Sequence, residues 1–188
     1  FPINNISGQP IALGGRIIEK SDYLAKYINS PETNFFKKGS NLYNLDSARK
    51  LSNKLNNIYL VEGYMDVVGL SKNGIENAVA NLGTSLTDKQ IITLNQFFDD
   101  IVICFDGDES GYKAALRAAE NSIRDLKPEK QISFLFLPTN EDPDSFVNKN
   151  GKNFFLDFSK QSKISIHQFI FSHYKKQTEN NPSSMAIF

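Results

Sequence analysis

The sequence predicts an α/β fold in which a mostly parallel sheet is flanked by helices, with a basic mixed α/β lobe before it and a helical segment after it. Two observations predict this. Short runs of apolar, largely β-branched residues recur through the middle of the chain, and stretches with helical spacing of apolar residues separate them. Strands that are apolar along their length, alternating with helices, belong to a sheet buried on both faces.

Ile58-Tyr59-Leu60-Val61 reads as the first strand of the sheet, and Tyr64 to Lys72 as a short helix stopped by Asn73-Gly74. Ala78-Val79-Ala80 reads as a second buried strand. Thr87 then caps a helix that carries Ile91, Leu94, Phe97 and Phe98 at helical spacing. Ile101 to Phe105 is the strongest strand, Ser110 to Leu126 the strongest helix, and Ile132 to Leu137 a further strand closed by Pro138. From Ser145 onward, Phe146, Phe154, Phe155, Phe158, Ile164, Phe169 and Ile170 predict helices that pack back on the sheet. The expected divisions are 1–55 for the basic lobe, 56–140 for the sheet domain and 141–188 for the helical segment.

The 188 residues hold 21 basic and 21 acidic side chains, a formal net charge of zero that argues at first against a polyanionic partner. The total hides opposed blocks. Residues 1–57 carry eight bases against four acids (+4), residues 58–145 seven against fifteen (−8), and residues 146–188 six against two (+4). The single cysteine, Cys104, excludes a disulfide framework and a multi-cysteine zinc site within the chain. A reducing, cytoplasmic setting follows. Apolar runs such as Ile101 to Phe105 fall far short of the roughly 20 residues of a membrane span, so no membrane partner is expected. The start at Phe1 and the polar end of the chain read as those of a fragment, expected to be monomeric.

The acids gather where the strands end. Glu62 follows the first strand; Asp106 and Asp108 follow the strongest one; Glu141, Asp142 and Asp144 follow the last after a few loop residues. In open α/β sheets the carboxyl ends of strands line the ligand crevice. Asp106 and Asp108, separated by Gly107, point to one side of an extended segment, roughly 7 Å apart at the backbone. Asp142-Pro143-Asp144 repeats the device. A solvated loop acid explains any one of these residues, but it does not explain five of them at three strand ends. Such carboxylates repel one another unless a cation sits among them, and hard oxygen donors suit Mg²⁺ or Mn²⁺. Two such ions about 4 Å apart would clamp the attacking and leaving oxygens of a phosphoryl transfer.

Two rival readings bear on Asp106 to Gly111. A calcium-binding EF-hand loop would need a bidentate Glu at its twelfth position, where Arg117 stands, and a helix before it instead of a strand. An aspartyl phosphatase-like enzyme would use Asp106 as nucleophile and Asp108 as acid but gives Glu62 no role; it stays open as an alternative. His167 and His173 fall on different helix faces, and no Gly-rich loop ending in Lys-Ser or Lys-Thr occurs.

Val61-Glu62-Gly63-Tyr64-Met65-Asp66, with Asp106-Gly107-Asp108 and Glu141-Asp142-Pro143-Asp144, resembles the Toprim domain, shared by primases, topoisomerases, nucleases and recombination mediators. Phe1-Pro2-Ile3, Leu13-Gly14-Gly15-Arg16, Lys26 to Thr33, Phe36 to Gly39, Leu42-Tyr43 and Asn81 to Ser85 narrow the likeness to bacterial replicative primases of the DnaG type. The resemblance implies a DNA-directed RNA polymerase that makes short RNA primers on a single-stranded DNA template from ribonucleoside triphosphates, in the bacterial cytoplasm at the nucleoid. It implies Glu62, Asp106 and Asp108 as metal ligands for two Mg²⁺ or Mn²⁺ ions, Asp142 and Asp144 as the further catalytic acids, and Asp66 as a supporting acid behind them. It implies Arg16, Lys26, Tyr27, Asn29 and Lys38 as nucleotide or nucleic-acid contacts. The family's zinc module and its domain for the replicative helicase would lie outside this sequence. Another Toprim enzyme, a nuclease or topoisomerase, and a metal-free DNA-binding scaffold on the same fold are the alternatives.

Overall fold

The computed structural model describes the chain except residues 19–22, 24–26, 84, 123–126 and 181–188, and the side chains of 177–180. Its centre is a five-stranded sheet in the order β5-β4-β6-β7-β8. Strands β4 (Asn57–Val61), β5 (Ala78–Ala80), β6 (Asp100–Phe105) and β7 (Gln131–Phe136) run parallel, and β8 (Ile164–Ser165) is antiparallel to β7. The expected mostly parallel sheet is present, and its four parallel strands lie where the apolar runs predict them.

Alternate residues of each strand feed separate cores. Ile58, Leu60, Ile101, Ile103, Ile132 and Phe134 pack on one face with α3 (Asp88–Asn95), α4 (Glu109–Ser122) and α6 (Ile166–Asn180). Tyr59, Val61, Val102, Cys104 and Leu135 pack on the other with α2 (Tyr64–Lys72) and α5 (Pro143–Ser162). Burial on both sides is why these strands read as unbroken apolar runs. Cys104 is core, as its place in a strand suggests.

Three details differ from the sequence expectation. Helix α3 ends at Asn95, because Gln96 and Phe97 bond back three residues to Thr93 and Leu94 and the tightened turn drops Phe98 into the core. Ile164 sits in β8 and not in a helix, since the segment between α5 and α6 pairs with Ser133-Phe134 at the sheet edge. The expected end of α4 at Leu126 lies outside the described residues.

The amino-terminal lobe is a three-stranded antiparallel sheet, β1 (Pro2–Asn4), β2 (Pro10–Arg16) and β3 (Tyr27–Asn29), followed by the short α1 (Leu45–Ala48) and a 3-10 turn at Arg49–Leu51. Its attachment to the central sheet is specific. Tyr43 and Ala80 exchange backbone hydrogen bonds of 2.9 and 3.2 Å. Gln90, fully buried, donates to the Lys38 and Asn41 carbonyl oxygens, while its Oε1 accepts from the Thr87 N–H in the capping box that opens α3. Ile3, Phe36, Tyr64 and Leu82 close a third apolar cluster between lobe and sheet. Among the described residues no helix is long and apolar enough to cross a membrane.

Candidate active site

The carboxyl ends of β4 and β6 open on a cavity of about 320 Å³ lined by Glu62, Asp66, Asp106, Asp142 and Asp144 on the sheet side, and by Arg16, Tyr27 and Asn29 from the amino-terminal lobe. The two strands are neighbours, and the chain leaves them toward opposite faces of the sheet, to α2 from β4 and to α4 from β6. That divergence opens a crevice, the usual ligand position in such sheets.

Helix starts fix the acids. Asp66 accepts from the Gly63 N–H at 3.0 Å in the capping box of α2. Asp108 accepts from the Gly111 N–H at 2.7 Å at the start of α4. Asp142 accepts from the Ser145 N–H at 2.7 Å, with Pro143 in the first turn of α5. The positive ends of three helix dipoles therefore face this edge and offset part of the repulsion among the carboxylates. Each capping acid uses one oxygen in its cap.

Glycines permit the close approaches. A Cβ on Gly107 would run into the Leu137 carbonyl, and one on Gly69 into the Asp144 carboxylate, which lies directly over α2. Asp144 is held there by the Asn148 amide at 2.6 Å.

Electrostatics separate these acids from ordinary surface ones. Burial first, and then the Asp142 charge, push the Asp66 carboxyl up to about 7 against the bonds it accepts from the Gly63 and Asp144 backbone. Crowding by protein atoms removes much of the hydration of Glu62, which with the charges of Asp106 and Asp108 raises its pKa. Glu141, by contrast, bonds Lys149 at 2.8 Å and the Ser145 hydroxyl at 2.7 Å, and Glu109 bonds Lys113 at 2.6 Å. Both have lowered pKa values, with the lysine hydrogen bond as the main cause. These two acids are structural.

The donor set fits a hard divalent cation: the groups are all carboxylates, and in two of them burial first and neighbouring acids second raise the pKa, both of which a bound cation would oppose. Among the described residues, no three His, Cys, Asp or Glu side chains stand close enough together to hold an ion as they are placed. Asp108 does not line the cavity, although its charge reaches Glu62.

Across from the acids, Arg16 ends β2 and its guanidinium carbon lies 5.7 Å from the Tyr27 ring centroid. The Tyr27 hydroxyl has a raised pKa, chiefly from burial; Arg16 opposes this, and Asp66, Asp142 and Asp144 add to it. Asn29 ties the lobe to the sheet, since its amide donates to the Leu82 carbonyl at 2.9 Å and its Oδ1 accepts from the Tyr64 hydroxyl. Lys38 lies outside the cavity, its backbone bound to Glu32 and Gln90. Lys26 lies outside the described residues. Sequence reading missed Asn81 as a site residue. It lines the cavity at the end of β5, and its Oδ1 is buried with no hydrogen-bond partner. Its position at the end of the fourth parallel strand was the available signal.

Residues 56–136 match the Toprim domain family, and residues 1–49 match the amino-terminal domain of the DNA primase catalytic core. The chain is 44% identical over 171 residues to the DNA primase of Pseudomonas aeruginosa, covering 91% of this chain and 26% of that protein. Among solved structures, it is similar to the E. coli primase catalytic core (41% identity, TM-score 0.88, 94% of this chain and 56% of that one). It is also similar to a DnaG primase catalytic domain solved with single-stranded DNA bound (40% identity, TM-score 0.88, 94% of this chain and 56% of that one). The chain thus spans about a quarter to a third of the length of the curated relatives it matches. With both parts of the sequence matched and the fold superposing on solved cores, the chain belongs to the family of DnaG-type bacterial primases, in which it falls within the catalytic core.

Proposed function

We propose that this chain carries the nucleotidyl-transfer site of a DNA primase, a DNA-directed RNA polymerase that joins ribonucleotides into short RNA primers on a single-stranded DNA template. The observation that supports it best is the cavity at the ends of β4 and β6, with five carboxylates on one wall and Arg16 and Tyr27 on the other. Nucleotidyl transfer has a 3′-hydroxyl attack an α-phosphate in line with departing pyrophosphate, so the protein must hold negative phosphates against its own acids. The family is metal-dependent. Glu62, Asp106 and Asp108 are the residues that would hold two Mg²⁺ or Mn²⁺ ions, with Asp142 and Asp144 completing the set. Bound there, the ions would lower the pKa of the attacking hydroxyl and stabilise the leaving pyrophosphate. Asp66, in the first turn of α2, orients the edge by fixing Gly63 and the start of α5. Arg16 reaches the phosphates as a guanidinium fork, and Tyr27 offers a face for a base.

In this reading residues 1–55 form the basic lobe, 56–140 the Toprim domain and 141–188 the helical segment after it. Template, primer and ribonucleoside triphosphates are the partners, the chain is a monomer of the bacterial cytoplasm, and the replicative helicase and zinc belong to other domains of such primases. The deciding substitution is Asp106→Asn. Loss of Mn²⁺ binding by calorimetry and of template-directed ribonucleotide incorporation, with an unchanged circular dichroism spectrum, supports the reading. Incorporation that survives the substitution overturns it.

A further inference from the structure

Helix α2 grips Asp144 of α5 from both of its ends. In the first turn of α2, the Asp66 carboxylate accepts from the Asp144 backbone N–H. Just past the last turn, Asn73, the C-cap residue, donates from Nδ2 to the Gly69 carbonyl at 2.9 Å and to Asn148 Oδ1 at 3.0 Å. Asn148 in turn donates from its own Nδ2 to Asp144 Oδ1 at 2.6 Å. That oxygen rests on Gly69, where a Cβ would collide with it, so Gly69, Asn73, Asn148 and Asp144 close a ring between the two helices.

The ring allows one polarity. A backbone carbonyl at one end and a carboxylate at the other only accept, so neither amide can flip without breaking two bonds. The donor that reaches Asp144 is also neutral. Glu141, which does not line the acidic cavity, is held by the Lys149 ammonium, and its charge is offset there. Asp144 lines the cavity, and an amide holds its Oδ1 without offsetting the charge that a cation needs, which leaves Oδ2 as the oxygen to bind one.

We propose that Asn148 is a positioning residue of the site, itself set by Asn73, and that the ring aims the Asp144 carboxylate before a divalent cation arrives. The inference rests on the nucleotidyl-transfer reading and adds how one of its acids is oriented. Orientation matters because Mg²⁺ demands near-octahedral ligand geometry, and groups that hold a ligand from behind commonly account for about 10- to 100-fold in metal affinity.

The experiment measures Mn²⁺ binding to the full chain by calorimetry, and template-directed ribonucleotide incorporation as Mn²⁺ is varied. Asn148 is exposed, so Asn148→Ala leaves the packing intact. It should weaken Mn²⁺ binding about tenfold and raise the half-saturating Mn²⁺ concentration in step, with the rate at saturating Mn²⁺ held within about twofold. Asn73→Ala, one bond further from the acid, should weaken binding about threefold. Added to Asn148→Ala it should cost nothing more, because it acts through that amide. Loss of a merely structural contact would lower the rate through the folded fraction and leave the half-saturating Mn²⁺ concentration where it was. Wild-type Mn²⁺ affinity in Asn148→Ala, or losses that multiply in the double variant, overturns the ring as a positioning device while the proposed chemistry stands. A wild-type chain that binds no Mn²⁺ overturns the metal role of these acids and this inference together.

Discussion

Replacing Asp66 with Asn should stabilise the fold above neutral pH. Asp66 is only 9% exposed and its carboxyl has a pKa of about 7 in the folded protein, against 3.8 for an unperturbed side chain. Below both values the group is protonated in folded and unfolded chains alike and costs nothing. As pH rises through about 4 the unfolded chain releases the proton and the folded one keeps it, so stability falls until the folded carboxyl ionises near 7. The gap of about 3 pH units, at about 1.4 kcal/mol each, makes the ionised carboxylate a burden of about 4 kcal/mol above neutrality. Asn keeps an oxygen to accept the Gly63 N–H and has no charge to bury. In metal-free buffer the stability advantage of Asp66→Asn should grow by about 3 kcal/mol between pH 5 and 8, a relative shift of about 1 to 2 M in urea midpoint. Parallel stability curves for wild type and variant would refute the claim that a buried, repelled carboxylate sits at this place.

Gly69→Ala should act on the site without touching a ligand: the new methyl displaces the Asp144 carboxylate, so Mn²⁺ affinity should drop several-fold and thermal stability should fall, both read on one sample. Tyr64→Phe removes the hydroxyl that Asn29 accepts from and should cost about 1 kcal/mol in denaturant unfolding, with the loss confined to docking of the amino-terminal lobe. Lys163→Met leaves Asp100 without its 2.5 Å partner at a site where the Asp100 Oδ1 already lacks one, and should destabilise by about 1 to 3 kcal/mol, recovered in the double variant with Asp100→Asn. Thr87→Ala should cost about 1 kcal/mol through loss of the α3 cap and of the 2.6 Å bond from its hydroxyl to the Gly39 carbonyl.

The central sheet was legible because burial on both faces keeps β4, β5, β6 and β7 apolar apart from Asn57, Asp100 and Gln131 at their starts and Ser133 within β7. The acids were legible as a group because strand ends are marked by where those runs stop. What they do individually was not. Asp66, Asp108 and Asp142 are helix caps as well as site candidates, and Glu141 is tied to Lys149, distinctions that depend on side-chain partners eight residues or less away but set by the path of the backbone. Strand β8 was illegible because two residues have no periodicity, and it exists only as a partner for Ser133 and Phe134. The sheet of the amino-terminal lobe hid behind Gly14 and Gly15, poor strand formers whose presence is explained at Gly14 by the Tyr64 ring, 2.8 Å from where a Cβ would stand. Asn81 escaped because an unpartnered oxygen is a property of the folded loop.

The order of the central strands has a dynamic consequence. Glu62 and Asp106 extend from β4 and β6, each bonded to a strand on both sides, whereas β5 and β8 are the outer strands. Amide protons of β4 and β6 are then released to solvent only when the whole sheet opens, while those of β8 and α6 exchange through local fraying. The backbone beneath the candidate site therefore persists for as long as the protein is folded at all. Ligand-dependent changes in hydrogen exchange should appear in the amino-terminal lobe, which lines the far wall of the acidic cavity, and not in β4 and β6.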